Sequence, residues 1–536
     1  MRLLFLVCLL LFAGCRNQDP LLLDGEAPSV PTYGDTFIEA SIGEPSNLLP
    51  VLASDSASSD ISALVYNGLI RYDKNLNLEG ELAEFWEISE DNLTITFHLR
   101  KNVLWHDGAP FTSADVLYTY QLYTDPKTPT AYAESYRQVA RAEAPDPHIF
   151  KVTYDKPYAP ALASWGVSIL PKHLLEGSEI TKSPLSRKPV GTGPYRFVDW
   201  KSGESLVLEA NPDYFEGAPY IRRVLYRVIP DLSTQFLELQ SGGLDFMGLT
   251  PIQYQTQTDT LAFKRRFNKY RYLAFGYSYL GYNLKRPLFQ DKRVRQAIAH
   301  AIDKQELIDG VLLGLGQAAT GPYKPDTWVY NPDVKRYPHD PARARELLAE
   351  VGWRDSDGDG VLDREGRKFS FTIVTNQGND LRVKSAEIIQ RRLQEVGIEV
   401  KIRVIEWASF LKEFINPGNF DVTILGWTGG PEPDQYNIWH SSKTGPRELN
   451  FIGFNNAEVD DLLERGRRTF DQAERKVIYD RFQAVLAEEQ PYTFLYVSDA
   501  LPVVARRFRG VEPSPAGIRH NFIEWYVPEG EQKYLK

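Results

Sequence analysis

The residues that most often carry out catalysis are sparse or badly spaced in this chain. Its eight histidines, His98, His106, His148, His173, His300, His339, His440 and His520, include no pair at the spacing that puts two zinc ligands on one helix face. A Gly-x-Ser-x-Gly elbow is absent, and the only thiols, Cys8 and Cys15, lie at the extreme N-terminus, so no later segment offers a thiol nucleophile. Gly191-Thr192-Gly193-Pro194 lacks the third glycine and the helix start of a phosphate cradle and reads as a turn. Carboxylates are plentiful, but nothing singles out one pair for the acid and base roles of a glycosidase. The chemistry points to binding, not to turnover.

One acidic stretch has a sharper pattern. Asp355, Asp357, Asp359, the Val361 carbonyl and Asp363 alternate around glycines in the manner of the first nine positions of a calcium loop. Calcium is therefore the one ion the sequence suggests, and no cofactor is required. The twelfth position is Gly366, with Glu365 one residue early, so the carboxylate that usually closes such a site is missing. An acidic surface turn is the competing reading.

Aromatic residues make up 12% of the chain, enough to furnish both cores and a ligand wall. Phe275-Gly-Tyr277-Ser-Tyr279-Leu-Gly-Tyr282, and Trp427 with Tyr436 and Trp439 beside Asp434 and Asn437, mix rings with glycines and polar groups. Flat rings that grip and a few polar atoms that orient are what a ligand cleft needs.

Positioning such a wall takes a mixed fold. Residues 93–100 alternate apolar and polar side chains as a half-buried strand does, and Thr112-Ser-Ala-Asp115 is a capping-box start for a helix through Tyr120. Further strands are expected at 35–42, 205–209 and 224–229. From about Arg271 longer helices alternate with strands. Val294, Ala297, Ile298, Ala301 and Ile302 share one helical face, and a helix capped by Asp340-Pro341 runs to Gly352. Strand 369–374, helix 381–396, strand 398–404 and strand 420–425 follow, a succession that predicts a largely parallel sheet under helices. A helical stretch at 457–489 then leads to a strand at 492–497 that heads back toward the first half.

The N-terminus predicts an address. Met1-Arg2, the apolar run Leu3–Phe12, and Ala13-Gly14-Cys15 have the layout of an export signal, and the run is about half the length a membrane span requires. Cysteine after two small residues resembles the lipobox of bacterial lipoproteins, which makes Cys15 the expected lipidation site and residues 1–14 the removed signal. Residues 15–32, rich in Asp, Pro, Gly and Ser, read as a lipidated tether to a membrane. Net charge is −10, with 61 basic and 71 acidic residues dispersed along the chain, which excludes the basic stripe a nucleic-acid binder needs.

Several long motifs resemble one family. Leu82-Ala-Glu-Phe-Trp86 through Leu99-Arg100 to Trp105-His-Asp-Gly108 and Ala114-Asp115-Val116, then Gly191-Thr-Gly-Pro-Tyr195, Asn211-Pro-Asp-Tyr-Phe215 and Val294-Arg-Gln-Ala-Ile-Ala-His-Ala-Ile-Asp303, are similar to the extracellular solute-binding proteins, family 5, of peptide, nickel and related ABC importers. The resemblance implies an α/β, bilobed, periplasmic-binding-protein-like clamshell of the large class II type with an extra subdomain on the first lobe. The first lobe would span 33–271 plus 499–536, with its subdomain at about 66–190, and the second 272–498. It implies a monomer that captures peptides or peptide-like solutes and delivers them to an ABC permease complex; a nickel chelate, an oligosaccharide, or presentation to a sensor are the alternatives.

Peptide-binding members place an aspartate three residues after the tryptophan of a glycine-tryptophan loop, where it pairs with the ligand ammonium. Here that loop is Gly426-Trp427-Thr-Gly-Gly430-Pro-Glu432-Pro-Asp434, and the position holds Gly430. Glu432 or Asp434 would substitute only through a shift of the loop. Arg382 is the candidate for a ligand carboxylate. With Asn47, Asn283, Trp407, Trp427 and Tyr436 these residues form the expected ligand-binding set.

Overall fold

The computed structural model describes residues 30–534; the predicted export segment, Cys15 and most of the predicted tether lie outside the described residues. Two bodies of apolar packing account for the described residues. One core runs from Phe37 to Phe267 and is completed by Leu315 and by residues 501–527 of the C-terminal segment. The other consists of two clusters built from residues 277–497.

In the first body, strand Gly34–Ser41 pairs in parallel with Ile221–Val228, which continues antiparallel to Ser205–Ala210 and Tyr195–Lys201. A separate antiparallel sheet of Ala83–Ile88, Thr94–Leu99, Ile149–Tyr154 and Val139–Asp146 forms its outer part. The capping box is present at helix Ser113–Thr124: Asp115 reaches back to the Thr112 amide at 2.9 Å.

The second body holds a seven-stranded sheet. Ser370–Asn376 lies parallel to both Glu399–Ile405 and Val422–Thr428, joined by helix Asp380–Gln394, as the strand-helix-strand pattern predicts. The rest departs from the expected parallel arrangement. Gly276–Tyr282 pairs antiparallel with Val422–Thr428 and with Tyr492–Ala500, and short strands at Tyr272–Leu273 and Gly316–Ala318 also join antiparallel. Strands that enter and leave the body run side by side in opposite directions, and four of the sheet's six strand pairings are antiparallel.

Two chain segments link the bodies, and they pair with each other. Phe267–Lys269 lies antiparallel to Pro502–Ala505 in the first body, and Tyr272–Leu273 to Asp499 and Ala500 in the second. Arg271 closes this crossing with an ion pair to Asp499 at 2.6 Å.

Candidate ligand-binding cleft

The carboxyl ends of strands Ser370–Asn376 and Val422–Thr428 face the first body, which is where sheets with helical crossovers bind ligands. The turn after Asn376 touches that body directly: a Cβ on Gly378 would meet the Pro230 carbonyl at 2.4 Å and Ile42 at 3.1 Å. Its φ of +81° also falls in the left-handed region that glycine tolerates. Trp407 makes the neighbouring contact, with its ring and Cβ 3.1 Å from where a Gly43 side chain would begin. Farther from the crossing, the Ala159 amide donates to the Arg467 carbonyl at 2.6 Å, and Lys443 pairs with Glu134 at 3.2 Å with both side chains largely buried. The two bodies thus meet around the rim of a cleft.

Arg382 sits at the start of helix Asp380–Gln394. The Asn379 side chain caps that helix by accepting from the Arg382 amide at 3.1 Å, and the guanidinium Nη1 donates to Asn376 Oδ1 at 2.7 Å. Asn376 is fully buried at the end of its strand. Gly426 lies across from the guanidinium; a Cβ there would stand 3.3 Å from Arg382 Nη2 and 3.0 Å from the Tyr277 carbonyl, so glycine makes room for the guanidinium. Enclosure by protein pushes the guanidinium below the ordinary arginine range, opposed by the Tyr496 and Tyr279 side chains. Among the described residues no carboxylate lies within ion-pair distance of Arg382. A cation at a helix N-terminus also opposes the helix dipole, so helix stability does not account for it. The arrangement suits an incoming anion.

The acidic candidates behave in the opposite way. Asp434 accepts three hydrogen bonds from the Arg467 guanidinium, at 2.7 to 3.0 Å, and Glu432 accepts from Arg475 Nη2 at 2.6 Å. Burial raises the Glu432 carboxyl while Arg475 opposes the shift. Tyr436 belongs to the same cluster: the Arg467 guanidinium lies 3.7 Å over its ring, and His440 stacks on it at 4.0 Å. A ligand ammonium would have to displace Arg467 to reach Asp434, while Glu432 is already charge-paired through one of its oxygens. Neither stands in for the aspartate missing at Gly430.

Trp427 and Gly426, adjacent on one strand, point to opposite sheet faces. Trp427 therefore packs away from Arg382, against Phe451 at 6.0 Å, and its Nε1 donates to the Tyr492 hydroxyl at 3.4 Å. Tyr279 and Tyr282 are likewise core residues, whereas Tyr277, though largely buried, lines a small concavity with Phe275, Gly429 and Gly430. Asn47 accepts from the Leu49 amide at 2.8 Å and shapes the turn after strand Gly34–Ser41. Asn283 is spent holding a loop, donating to the Gly418 and Phe420 carbonyls at 3.0 and 2.8 Å. It lies beyond the far end of strand Gly276–Tyr282, about 24 Å from the cleft end at ~3.4 Å per residue. Asn283 is outside the cleft.

At the acidic turn, ligand oxygens of Asp355, Asp357 and Asp359 lie within 4.8 Å of one another. Asp363 turns instead to Ser356, accepting from its amide at 2.9 Å and its hydroxyl at 2.7 Å. Lys368 pairs with Asp359 and lies 3.8 Å from Asp357, so a side chain already supplies positive charge there. Residues 191–193 form no cradle: a Cβ on Gly191 or Gly193 would collide with the Val65 backbone.

The model for bacterial extracellular solute-binding proteins, family 5 Middle, matches residues 77–448. The chain belongs to this family. A curated relative, the oligopeptide-binding protein AppA of Bacillus subtilis (strain 168), is 35% identical over 512 residues, covering 93% of this chain and 92% of the relative. The structure of AppA from Bacillus subtilis in complex with a nonapeptide superposes with a TM-score of 0.89 at 34% identity, covering 93% of this chain and all of that one. NikZ from Campylobacter jejuni in complex with Ni(L-His) gives 0.84 at 28% identity, with 93% and 100% covered. This solute-binding protein is therefore bilobed, with the cleft between its two bodies, and the family to which it belongs binds solutes. Among its described residues no helix is long and apolar enough to cross a membrane.

Sequence reasoning missed Asn376, Arg467, Arg475 and the Glu134 and Lys443 pair. Asn376 had a usable signal, since it ends a strand just before a capped helix. The others had none, because their partners lie 33, 43 and 309 residues away in sequence.

Proposed function

We propose that the protein captures peptides or peptide-like solutes between its lobes, anchors the ligand carboxylate on Arg382, and delivers the cargo to the permease of an ABC importer. The carrying observation is a half-buried guanidinium that packs on Gly426 and has no acidic partner among the described residues. A buried charge is costly unless paired, and an arginine fork matches a carboxylate in two parallel bonds. Only a ligand that binds the closed state better drives closure, and a carboxylate sealed in with Arg382 meets that requirement. The kinship with AppA supports peptides as the cargo.

Titration calorimetry with a mixed-sequence nonapeptide and its C-terminal amide tests the assignment. The free acid binds and the amide is weakened by about a hundredfold; equal binding overturns it. The likeness to NikZ supports a second reading, a metal chelate of an amino acid, whose carboxylate would use the same arginine. Binding of nickel with histidine but not of peptides would favour it.

The body is proposed to act as a monomer held outside the cytoplasm through lipid on Cys15. Palmitate labelling that persists in Cys15→Ser would refute the anchor.

A further inference from the structure

A second charged feature lies on the first lobe, outside the cleft. Six cationic side chains and one carboxylate, Glu531, line a concavity of about 410 Å³. Arg507 at its floor is neutralised by buried Asp35 and Asp245, and Arg509 pairs with Glu531 at 2.9 Å. Setting those three acids against the six cations leaves, among the described residues, an excess of three positive charges, on a chain whose net charge is −10. Among the described residues none of Arg265, Arg266, Arg506 and Lys533 has a carboxylate within ion-pair distance.

Helix capping explains part of this cluster. Arg266 donates to the Gln240 carbonyl at 2.7 Å, and Arg506 to the Lys264 carbonyl at 3.2 Å, each at a helix end. Each bond uses one of a guanidinium's five N–H groups. Capping does not explain Arg265 or Lys533. The cations nevertheless converge: a Cβ on Gly242 would stand 3.6 Å from Lys533 Nζ and 3.7 Å from Arg266 Nη2.

The position of the N-terminal segment identifies the partner. The Thr32 hydroxyl donates to the Val527 carbonyl at 2.7 Å, and the Gln532 side chain donates to the Tyr33 carbonyl at 3.3 Å. The chain leading back to Cys15 thus enters the fold beside Gln532, one residue from Lys533. The roughly 17 residues from Arg16 to Thr32 span at most about 60 Å even when fully extended. A membrane held at Cys15 is therefore within reach of this concavity.

We propose that the concavity seats phosphate headgroups of an anionic membrane, so that the anchored protein rests on the bilayer in one orientation. This goes beyond solute capture and draws on the lipid anchor only for the direction of approach. Each surface cation near an anionic bilayer strengthens binding by about fivefold, and the acidic remainder of the body is repelled.

The test uses the chain from Arg16 onward, which keeps every described residue and lacks the lipid. It should sediment with phosphatidylglycerol vesicles, not with phosphatidylcholine vesicles, and release as salt rises. Arg265→Gln with Lys533→Gln, both exposed positions, should lower partitioning by about 25-fold, and adding Arg506→Gln by about 100-fold. Melting temperature and solute affinity should stay unchanged, which separates this proposal from the one for the cleft. Equal binding to both vesicle types, or a double variant that sediments like the parent, overturns it. So does inorganic phosphate binding without vesicle binding, which would assign the concavity to a free anion. Loss of permease binding in the variant, again without vesicle binding, would assign it to a protein and overturn it equally.

Discussion

Replacing Arg382 by glutamine separates a ligand anchor from a structural arginine, because the two roles predict opposite effects on stability. As an anchor, Arg382 loses with its charge the charge-assisted bonds to an enclosed carboxylate. Truncating one member of a buried charged pair costs about 2 to 5 kcal/mol, and a middle value of about 3 kcal/mol weakens binding on the order of 150-fold. The unliganded protein responds differently. Arg382 is held below its ordinary pKa by enclosure, a sign that the fold disfavours its charge. Removing that charge relieves the penalty, while loss of the 2.7 Å bond to Asn376 costs about 1 kcal/mol. Melting temperature should therefore change little or rise. The assay is a cycle of two proteins and two ligands, wild type and Arg382→Gln against a peptide and its C-terminal amide. A coupling energy above about 2 kcal/mol is expected. Coupling below about 0.5 kcal/mol, or a stability loss of several kcal/mol, refutes the assignment.

Gly430→Asp should restore a carboxylate for ligand amines: a Cβ there meets nothing within 4 Å and its φ is not left-handed, so the fold tolerates it. Peptides with free amino termini should gain about tenfold over N-acetylated ones in calorimetry, and an equal change for both would sink the idea. Lys443→Met deprives Glu134 of its partner across the cleft, so ligand release in stopped flow should accelerate by about tenfold or more with association little changed. Unaltered release would show that the rim contact does not hold the lobes shut. His106 accepts from the Gly191 amide on Nδ1 at 3.2 Å and lies 2.9 Å from the Gly193 carbonyl on Nε2, an arrangement that suits the neutral ring, and burial pushes its pKa down to about 4. Because its folded value is depressed, its contribution is intact above pH 6.5 and is lost as pH falls toward 4, by up to about 3 kcal/mol; urea melts of His106→Gln should lack that part of the acid slope. Calcium at 10 mM should stabilise by no more than about 1.5 kcal/mol through a millimolar site at 355–359, and more after Lys368→Gln; an unshifted melting temperature in both proteins would leave only a turn.

Much of the fold was legible because its signals are local. Asp340-Pro341 and the Thr112 to Asp115 box state where helices begin, and the alternation at 93–100 states which strand face is buried. The sheet of the second lobe was misjudged at the point where local signals end. Nothing in residues 276–282 announces that the strand will lie between 422–428 and 492–500, since pairing is decided by where the chain enters and leaves. The aromatic run misled for a related reason: with a period of two, Tyr277 and Tyr279 share a face, and that face is the core. Arg382 could be nominated by its position near a helix start, whereas its unpaired state could not, because absence of a partner is a property of the whole surroundings.

That absence gains its meaning from the neighbouring acids. The second lobe carries Glu432 and Asp434 close to the loop that would greet a ligand amine, yet Arg475 and Arg467 bind them so closely that their negative charge is already spent. The same lobe leaves Arg382 without a carboxylate of its own. Neutralising the acids and leaving Arg382 unmatched biases the closed cleft toward anions, and exclusion of water on closure strengthens that bias. A ligand that presents its carboxylate to Arg382 gains from enclosure, whereas one that presents only an amine meets glycine at 430 and arginines behind it. Discrimination between the two ends of a peptide would then come from how the lobe's own charges are paired off, more than from the residues that line the opening.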